Sequence, residues 1–146
     1  MGLPDLQADK EGLCSLRLDD RVTITMECNE ASGVLVFSAV LGTLAPYQTK
    51  SFYPHLLEAN LFWKETGGAT LGVDPATLNV FLCQQEKFEE MPSEYFQEVL
   101  KKFSDTALSW NTRLSESTES LEENLPETSL SEETASSAAR PTETYA

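Results

Sequence analysis

The sequence has few basic residues. Lysine and arginine number 10 against 24 aspartates and glutamates, which gives the 146 residues a formal net charge of −14. A nucleic-acid-binding surface needs clustered lysine and arginine to neutralise phosphates, so we expect no nucleic-acid partner. An acidic surface instead favours solubility and suits a basic or amphipathic protein partner.

Long apolar stretches are also missing. No run approaches the roughly 18 apolar residues that a membrane-spanning helix requires. Residues 1–12 contain neither the basic nor the apolar region of a secretory signal. We therefore expect a cytosolic protein without a membrane span.

Cysteine and histidine, which often ligate metals or act as nucleophiles and bases, are scarce. Cys14, Cys28 and Cys83 match no metal-binding spacing and lie in apolar stretches, where a reduced thiol packs as a small hydrophobic side chain. His55 is the only histidine, and no serine or cysteine occurs in a nucleophile motif. The sequence thus predicts no catalytic, cofactor-binding or metal-binding residue, and we expect that the protein is not an enzyme.

A glycine-rich segment, TGGATLG at residues 66–72, has the composition of a phosphate-binding loop. Such a loop follows a strand and opens a helix, with Lys-Ser or Lys-Thr after the last glycine. Here the glycines follow a predicted helix and lead into a predicted strand. We therefore interpret the segment as a helix end and a tight turn.

Alternation of apolar and polar residues predicts five strands. The predicted strands are residues 13–18, 21–28, 34–41, 69–73 and 78–84. The first three are joined by short links and the last two by an Asp74-Pro75 turn, so neighbours in sequence pair antiparallel. The third strand, VLVFSAVL, is almost continuously apolar, which is typical of a strand covered on both faces.

Two stretches with helical periodicity complete the predicted fold. The first begins at Thr49 or Ser51 and ends before Gly67, and the second runs from Pro92 to Trp110. The predicted fold class is α/β in the α+β sense. It is a twisted antiparallel five-stranded sheet packed with helices, in the order β-β-β-α-β-β-α.

The first predicted helix has more apolar surface than packing on one sheet would use. Its two neighbouring stripes are Phe52, Leu56, Asn60 and Trp63, and Tyr53, Leu57 and Leu61. A second copy of the chain would cover the excess, since two-fold homodimers are the commonest oligomers, and we assign the first stripe to the dimer interface. The alternative is that one stripe packs on the sheet and the other on the C-terminal helix of the same chain.

Asn60 is the polar residue of the first stripe. A single polar residue in an apolar interface can fix register and orientation, which favours a place in the dimer interface. The alternative is that the Asn60 side chain caps a neighbouring backbone group.

Exposed backbone on the outer strand of a sheet can accept an extended peptide by strand addition. We nominate Leu13, Leu16 and Leu18 of the first strand and Phe81 of the last strand as residues that contact such a peptide. The alternative is that these residues belong to the ordinary core, because a half-buried strand always has an inner face.

The C-terminal residues 115–146 are mainly Ser, Thr, Glu and Ala. Such a composition buries too little apolar surface to offset the entropy of ordering. We expect a folded domain over residues 1–114 and a disordered acidic tail over residues 115–146. The tail is either inert or a second interaction segment.

The stretch LLEANLFWKETGGATLGVDPATLNVFLCQQ resembles the type III secretion chaperones of the Tir-chaperone class (CesT-like, class I). In that class a helix of the form LLxANxxW leads into TGGATLG, an Asp-Pro turn and a strand. The resemblance depends most on Asn60, Trp63, residues 66–72 and Asp74-Pro75, and it extends more loosely over residues 3–110.

The N-terminus departs from the pattern of this class. Its members have an amphipathic helix before a GLP-like turn, and Gly2-Leu3-Pro4 resembles the end of that helix. We therefore expect that the N-terminal helix is truncated or begins upstream of Met1.

The resemblance implies a function as well as a fold. Members of this class are small acidic dimers that use no nucleotide and hold a segment of a secreted effector in an extended form. The resemblance thus implies a homodimeric chaperone in the bacterial cytoplasm, with one or a few effectors as partners and no cofactor. A heterodimer with another chaperone stays open, and so does a dimeric adaptor on the same fold that binds a folded regulator or a second chaperone subunit.

Overall fold

The computed structural model describes residues 9–122. Its elements are β1 (Leu13–Leu18), β2 (Val22–Asn29), β3 (Val34–Thr43), a 3₁₀ turn (Pro46–Gln48), α1 (Thr49–Asn60), a second 3₁₀ turn (Leu61–Trp63), β4 (Thr70–Val73), β5 (Asn79–Lys87) and α2 (Ser93–Glu122). The predicted α+β class and the order β-β-β-α-β-β-α are confirmed. The truncated N-terminal helix predicted near Gly2-Leu3-Pro4 lies outside the described residues.

The strands form one antiparallel sheet in the order β1-β2-β3-β5-β4. β1, β2 and β3 form a meander, and α1 carries the chain from β3 to β4 on the far side of β5. As a result β1 and β4 are the two edge strands.

Both helices lie on one face of the sheet. Alternate residues of the strands, such as Ile24 of β2, Ala39 of β3 and Leu82 of β5, point to this face and are at most 3% exposed. Phe103 of α2 packs against Phe37 of β3, with ring centroids 5.7 Å apart. The core therefore lies between one face of the sheet and the two helices.

Within residues 9–122 β3 is covered on one face only, contrary to the expectation of two covered faces. Val36, Ser38 and Val40 alternate with the buried residues and point to the other face, where Val40 is 43% exposed. β3 is the middle strand of the sheet, with β2 and β5 on its two edges. Its apolar sequence fits this central position.

α2 continues to Glu122 and passes the predicted domain end at residue 114. Extension of an existing helix avoids the cost of nucleation, and the hydroxyl of Thr118 accepts a hydrogen bond from the buried Gln48 side chain at 3.3 Å. α2 therefore includes residues 115–122, which were assigned to the tail, and the division into a folded domain and a disordered tail stays a prediction. The rest of the predicted tail, residues 123–146, lies outside the described residues.

α1 ends at Asn60. The sequence predicted that the helix would continue to the glycine-rich segment and end just before Gly67. Leu61 has extended backbone angles (φ −63°, ψ 112°), and Phe62 and Trp63 follow with left-handed φ values of 54° and 52°. The chain thus leaves the helix axis at Leu61. Trp63 does not continue the first apolar stripe, contrary to the prediction.

Candidate functional site

Large apolar side chains are exposed along α1 and just beyond its end. Tyr53, Leu57, Leu61, Phe62 and Trp63 are between 38% and 77% exposed. We call these five residues the α1 apolar surface. Contiguous exposed apolar groups mark interaction sites in soluble proteins, so this surface is the first candidate.

An unfavourable backbone conformation positions part of the α1 apolar surface. Left-handed angles cost a residue other than glycine about 1–2 kcal/mol, and Phe62 and Trp63 adopt them in succession. The Trp63 carbonyl accepts hydrogen bonds from the N–H groups of Thr66 and Gly67, at 3.4 and 3.3 Å. Two aromatic side chains are thus kept in solvent at a conformational cost, which is typical of a functional segment.

A groove of about 350 Å³ lies beside the α1 apolar surface. Tyr53 and Leu57 line one side, and Gly72, Val73 and Pro75 line the other. The walls are mainly apolar, and a large side chain of a partner would fit between them.

Asn60 caps the edge strand β4 at Leu71. Its Nδ2 donates to the carbonyl of Leu71 at 2.9 Å, and its Oδ1 accepts from the Leu71 N–H at 2.8 Å. The Asn60 amide thereby replaces a neighbouring strand at this position of β4. The interpretation of Asn60 as a cap on a backbone group fits this geometry, and its part in a dimer interface stays a prediction.

The other three predicted interface residues have different positions. Phe52 and Leu56 are buried in the core of their own chain, whereas Trp63 belongs to the α1 apolar surface. The burial of Phe52 and Leu56 needs no second copy, so their assignment to a dimer interface also stays a prediction. Both apolar stripes of α1 are visible in the sequence. The small residue Ala59, which lies beside the first stripe and is buried in the structure, was the signal that this stripe packs against the sheet.

At the opposite edge of the sheet, β1 has outward backbone groups. The Gly12 carbonyl accepts a hydrogen bond from the Cys28 N–H. In an antiparallel pair, residues that bond to the neighbouring strand alternate with residues whose backbone groups point away from it, so this bond fixes which residues of β1 point outward. In this alternation the N–H and C=O groups of Ser15 and Arg17 point away from β2. No strand within residues 9–122 lies beyond β1, so these groups can bond to an added strand.

Asp9 bonds to Leu13, the first residue of β1 whose backbone groups point away from β2. Its backbone N–H donates to the Leu13 carbonyl at 2.8 Å, and its Oδ1 accepts the Leu13 N–H at 3.0 Å. Ser15 and Arg17 are the next outward positions along β1. The part of the β1 edge that has no partner strand within residues 9–122 is therefore short and begins after Leu13.

The four predicted peptide-contacting residues do not lie together. Leu16 and Leu18 are half-buried at the margin of the core, on the helix face of β1. Leu13 lies on the opposite face at 36% exposure, and Phe81 is half-buried on that face three strands away, beside Val40. Contact with a peptide stays a prediction for all four, and Leu16 and Leu18 adjoin the open edge.

A polar groove between α1 and α2 contains His55, Glu65 and Arg113. Arg113 forms an ion pair with Glu65, and its guanidinium carbon lies 4.6 Å from the centre of the Trp110 ring. Its positive charge thus interacts with groups of the same chain. Elsewhere, partial burial raises the pKa of the Cys83 thiol, which keeps it protonated and a poor nucleophile. Neither arrangement resembles the base and nucleophile pair of an active site.

Two further searches of residues 9–122 give negative results. No group of three or more His, Cys, Asp and Glu side chains in this range could hold a metal ion. None of the helices in the same range is long and apolar enough to cross a membrane.

Comparison with known proteins identifies the family. Residues 1–111 match the Tir chaperone protein (CesT) family. This chain belongs to the Tir chaperone (CesT) family. The match includes Asn60 and residues 66–72, on which the sequence resemblance depended most, and that resemblance is confirmed.

Individual proteins agree with membership of the CesT family. The Chlamydia pneumoniae protein CPj0713/CpB0740 is 32% identical over 107 residues, which cover 71% of this chain and 81% of that protein. A chain in the crystal structure of the ExsC-ExsE complex is 27% identical, with a TM-score of 0.63 over 77% of this chain and 84% of that one. The Yersinia pestis type III secretion chaperone SycH, solved in complex with a stable fragment of YscM2, shares the fold at 18% identity, with a TM-score of 0.57 over 74% of this chain and 87% of that one.

Removal of the Asn60 side chain should destabilise the protein. Asn60→Ala leaves the outward groups of Leu71 unpaired, and two hydrogen bonds worth about 0.5–1.5 kcal/mol each are lost. Urea unfolding is expected to show a loss of about 1–3 kcal/mol in the free energy of unfolding. Glu58→Ala, at an exposed position of α1, is the control and should cost less than about 0.5 kcal/mol. Equal stability of Asn60→Ala and the wild type would show that β4 needs no cap.

Proposed function

We propose that this CesT-family protein is a type III secretion chaperone that binds the N-terminal chaperone-binding segment of one or a few secreted effectors and keeps that segment extended. The observation that carries the proposal is the outer edge of β1, where the backbone groups of Ser15 and Arg17 point away from the sheet. An extended segment can pair there, because backbone hydrogen bonds do not depend on a particular sequence.

Side chains beside the edge suit a partly apolar segment. Leu16 and Leu18 are half-buried on the helix face of β1. An added strand would direct every second side chain to that face and would cover the remaining exposed surface of both leucines. Backbone pairing and apolar contact would then supply the affinity, with no cofactor and no chemical step.

The net charge of −14 supports the same role. A protein that holds an unfolded, partly apolar segment must keep the complex soluble, and a strong net charge opposes aggregation. The sign of the charge favours a basic or amphipathic segment. We place the protein in the bacterial cytoplasm, where an effector is present before its secretion.

We further propose that two copies associate through the α1 apolar surface. Its five side chains are exposed in the single chain, and the adjoining groove of about 350 Å³ can receive a side chain of the second copy. A two-fold axis would place each surface against the other groove. Because Asn60 already caps Leu71, the two sheets would not join through β4, and the interface would consist of side chains.

Obstruction of the β1 edge should weaken effector binding. The probe is the effector segment identified by native mass spectrometry of the complex purified from the source bacterium. Arg17→Pro removes the outward N–H and places a ring in the path of an added strand, while pairing with β2 is kept. Isothermal titration is expected to show a Kd at least about tenfold higher, which corresponds to about 1.4 kcal/mol.

Arg17→Ala is the matched control for this experiment, because it removes the same side chain and keeps the N–H. Its Kd should stay within about threefold of the wild-type value. Equal affinity of Arg17→Pro and Arg17→Ala for the effector segment would contradict strand addition at β1.

A charge on the α1 apolar surface should separate the two copies. Leu57→Glu places a carboxylate at an exposed helix position and leaves the core untouched, so sedimentation velocity is expected to show a monomer where the wild type is a dimer. Val40→Glu, on the uncovered face of the sheet, is the control and should stay dimeric. A monomeric wild type or a dimeric Leu57→Glu would show that this surface does not join two copies.

A further inference from the structure

Two of the three glycines in the TGGATLG segment are required by the chain itself. Gly67 and Gly68 have left-handed φ values of 62° and 101°, which residues with a side chain seldom adopt. A Cβ at Gly67 would also lie 2.9 Å from Cε of Lys102 on α2. The turn and its packing on α2 therefore account for both residues.

The third glycine, Gly72 in β4, has no such reason within residues 9–122. Its φ lies outside the left-handed region, and a Cβ there would meet no atom within 4 Å apart from its chain neighbours. Gly72 pairs regularly with Phe81 of β5. An aromatic side chain opposite a glycine can cover it, but no atom of Phe81 comes within 4 Å of the Cβ position. Gly72 thus leaves bare backbone at the surface of an edge strand.

A glycine inside a strand lowers stability, because it has the most conformational freedom to lose and no side chain to pack. Such a glycine often marks a place where another backbone or a ligand approaches closely. We infer that Gly72 is the point of closest approach of a second copy of the chain, and that Phe62 of that copy packs on its backbone. This contact rests on the proposed association of two copies.

Gly72 belongs to the groove beside the α1 apolar surface. It lines this groove of about 350 Å³ together with Tyr53 and Leu57 of α1 and Val73 of β4. Tyr53 and Leu57 are also members of the α1 apolar surface, so the bare backbone and the exposed side chains are continuous. A two-fold axis would therefore bring the α1 apolar surface of each copy to Gly72 of the other.

Charge favours a second copy over an effector segment as the occupant. Among residues 9–122, those that line the groove include no Asp, Glu, Lys or Arg. Two copies with a net charge of −14 each repel, so they can approach closely only where acidic side chains are absent. A basic or amphipathic effector segment would instead gain affinity from acidic neighbours, which this groove does not offer.

Phe62 is the most exposed side chain of the α1 apolar surface, at 77%. Its left-handed φ of 54° follows the point where the chain leaves the helix axis. An aromatic ring can lie flat on the backbone of a glycine, because no Cβ keeps it away. Burial of the ring between two copies would offset the conformational cost of its backbone.

A side chain at position 72 should weaken the dimer. Sedimentation equilibrium is expected to show that Gly72→Leu raises the Kd of the dimer at least about tenfold, because the leucine occupies the space of the Phe62 ring. Thr70→Leu is the matched control, since Thr70 is exposed on the same face of β4 and does not line the groove. Its Kd should stay within about threefold of the wild-type value.

The fold of the Gly72→Leu chain is checked by urea unfolding in the Leu57→Glu background, which is expected to be monomeric. The midpoint should equal or exceed that of Leu57→Glu alone, because the new side chain meets no atom of its own chain and strands disfavour glycine. A lower midpoint would show that the single chain itself requires Gly72 and would overturn the inference.

A mixture of two variants tests whether Phe62 is the occupant. A heterodimer of a Gly72→Leu chain with a Phe62→Ala chain has one wild-type contact and one contact in which the new leucine meets the new alanine. Native mass spectrometry of the isotope-labelled mixture is expected to give this heterodimer a Kd at least about threefold lower than that of either variant homodimer. Equal Kd values for the three dimers would overturn the assignment of Phe62.

The outcomes separate this contact from the association of the two copies. A wild-type Kd for Gly72→Leu would overturn the contact and leave the dimer to the Leu57→Glu experiment, whereas a monomeric wild type would overturn both. A Gly72→Leu chain that keeps the wild-type dimer but binds the effector segment more weakly would assign the space at Gly72 to the effector and overturn the contact between copies.

Discussion

An open β-sheet has two edge strands whose outer N–H and C=O groups need partners, and this constraint organises the molecule. At β4 the side-chain amide of Asn60 supplies both partners of Leu71. At β1 Asp9 supplies the partners of Leu13 and leaves the next outward positions without a partner in the described residues. Asn60 thus caps β4 at Leu71, whereas β1 offers outward backbone groups to which an extended polypeptide can bond.

The cap at β4 is coupled to the exposed apolar surface. Asn60 reaches Leu71 from the last position of α1, and the chain then leaves the helix through an extended residue and two left-handed aromatic residues. This turn places Phe62 and Trp63 outside the core, beside the outward stripe of the helix. The same segment thus caps β4 at Leu71 and presents a hydrophobic surface. The proposed site of dimerisation therefore lies at a different edge of the sheet from the proposed site of effector binding.

Local patterns in the sequence predicted the strands and helices well, because alternation and helical periodicity are local properties. The inner face of α1 was harder to predict. Phe52 and Leu56 have the same spacing as Tyr53 and Leu57, and only packing against the sheet decides which pair is buried. The end of α2 was missed for a related reason: beyond Leu114 the apolar pattern fades, yet an established helix continues through polar residues at little cost. The left-handed turn after α1 could not be predicted from the sequence either, since bulky residues seldom adopt such angles.

The central claim is that an extended effector segment pairs with the outer edge of β1. Isotope-filtered NMR spectra of the chain bound to that segment test the claim most directly. Strand addition predicts NOEs between backbone protons of residues 15–17 and backbone protons of the effector segment, in the regular pattern of paired strands. A complex whose NOEs to the effector come from the α1 apolar surface alone, with the β1 edge unchanged from the free protein, would contradict it.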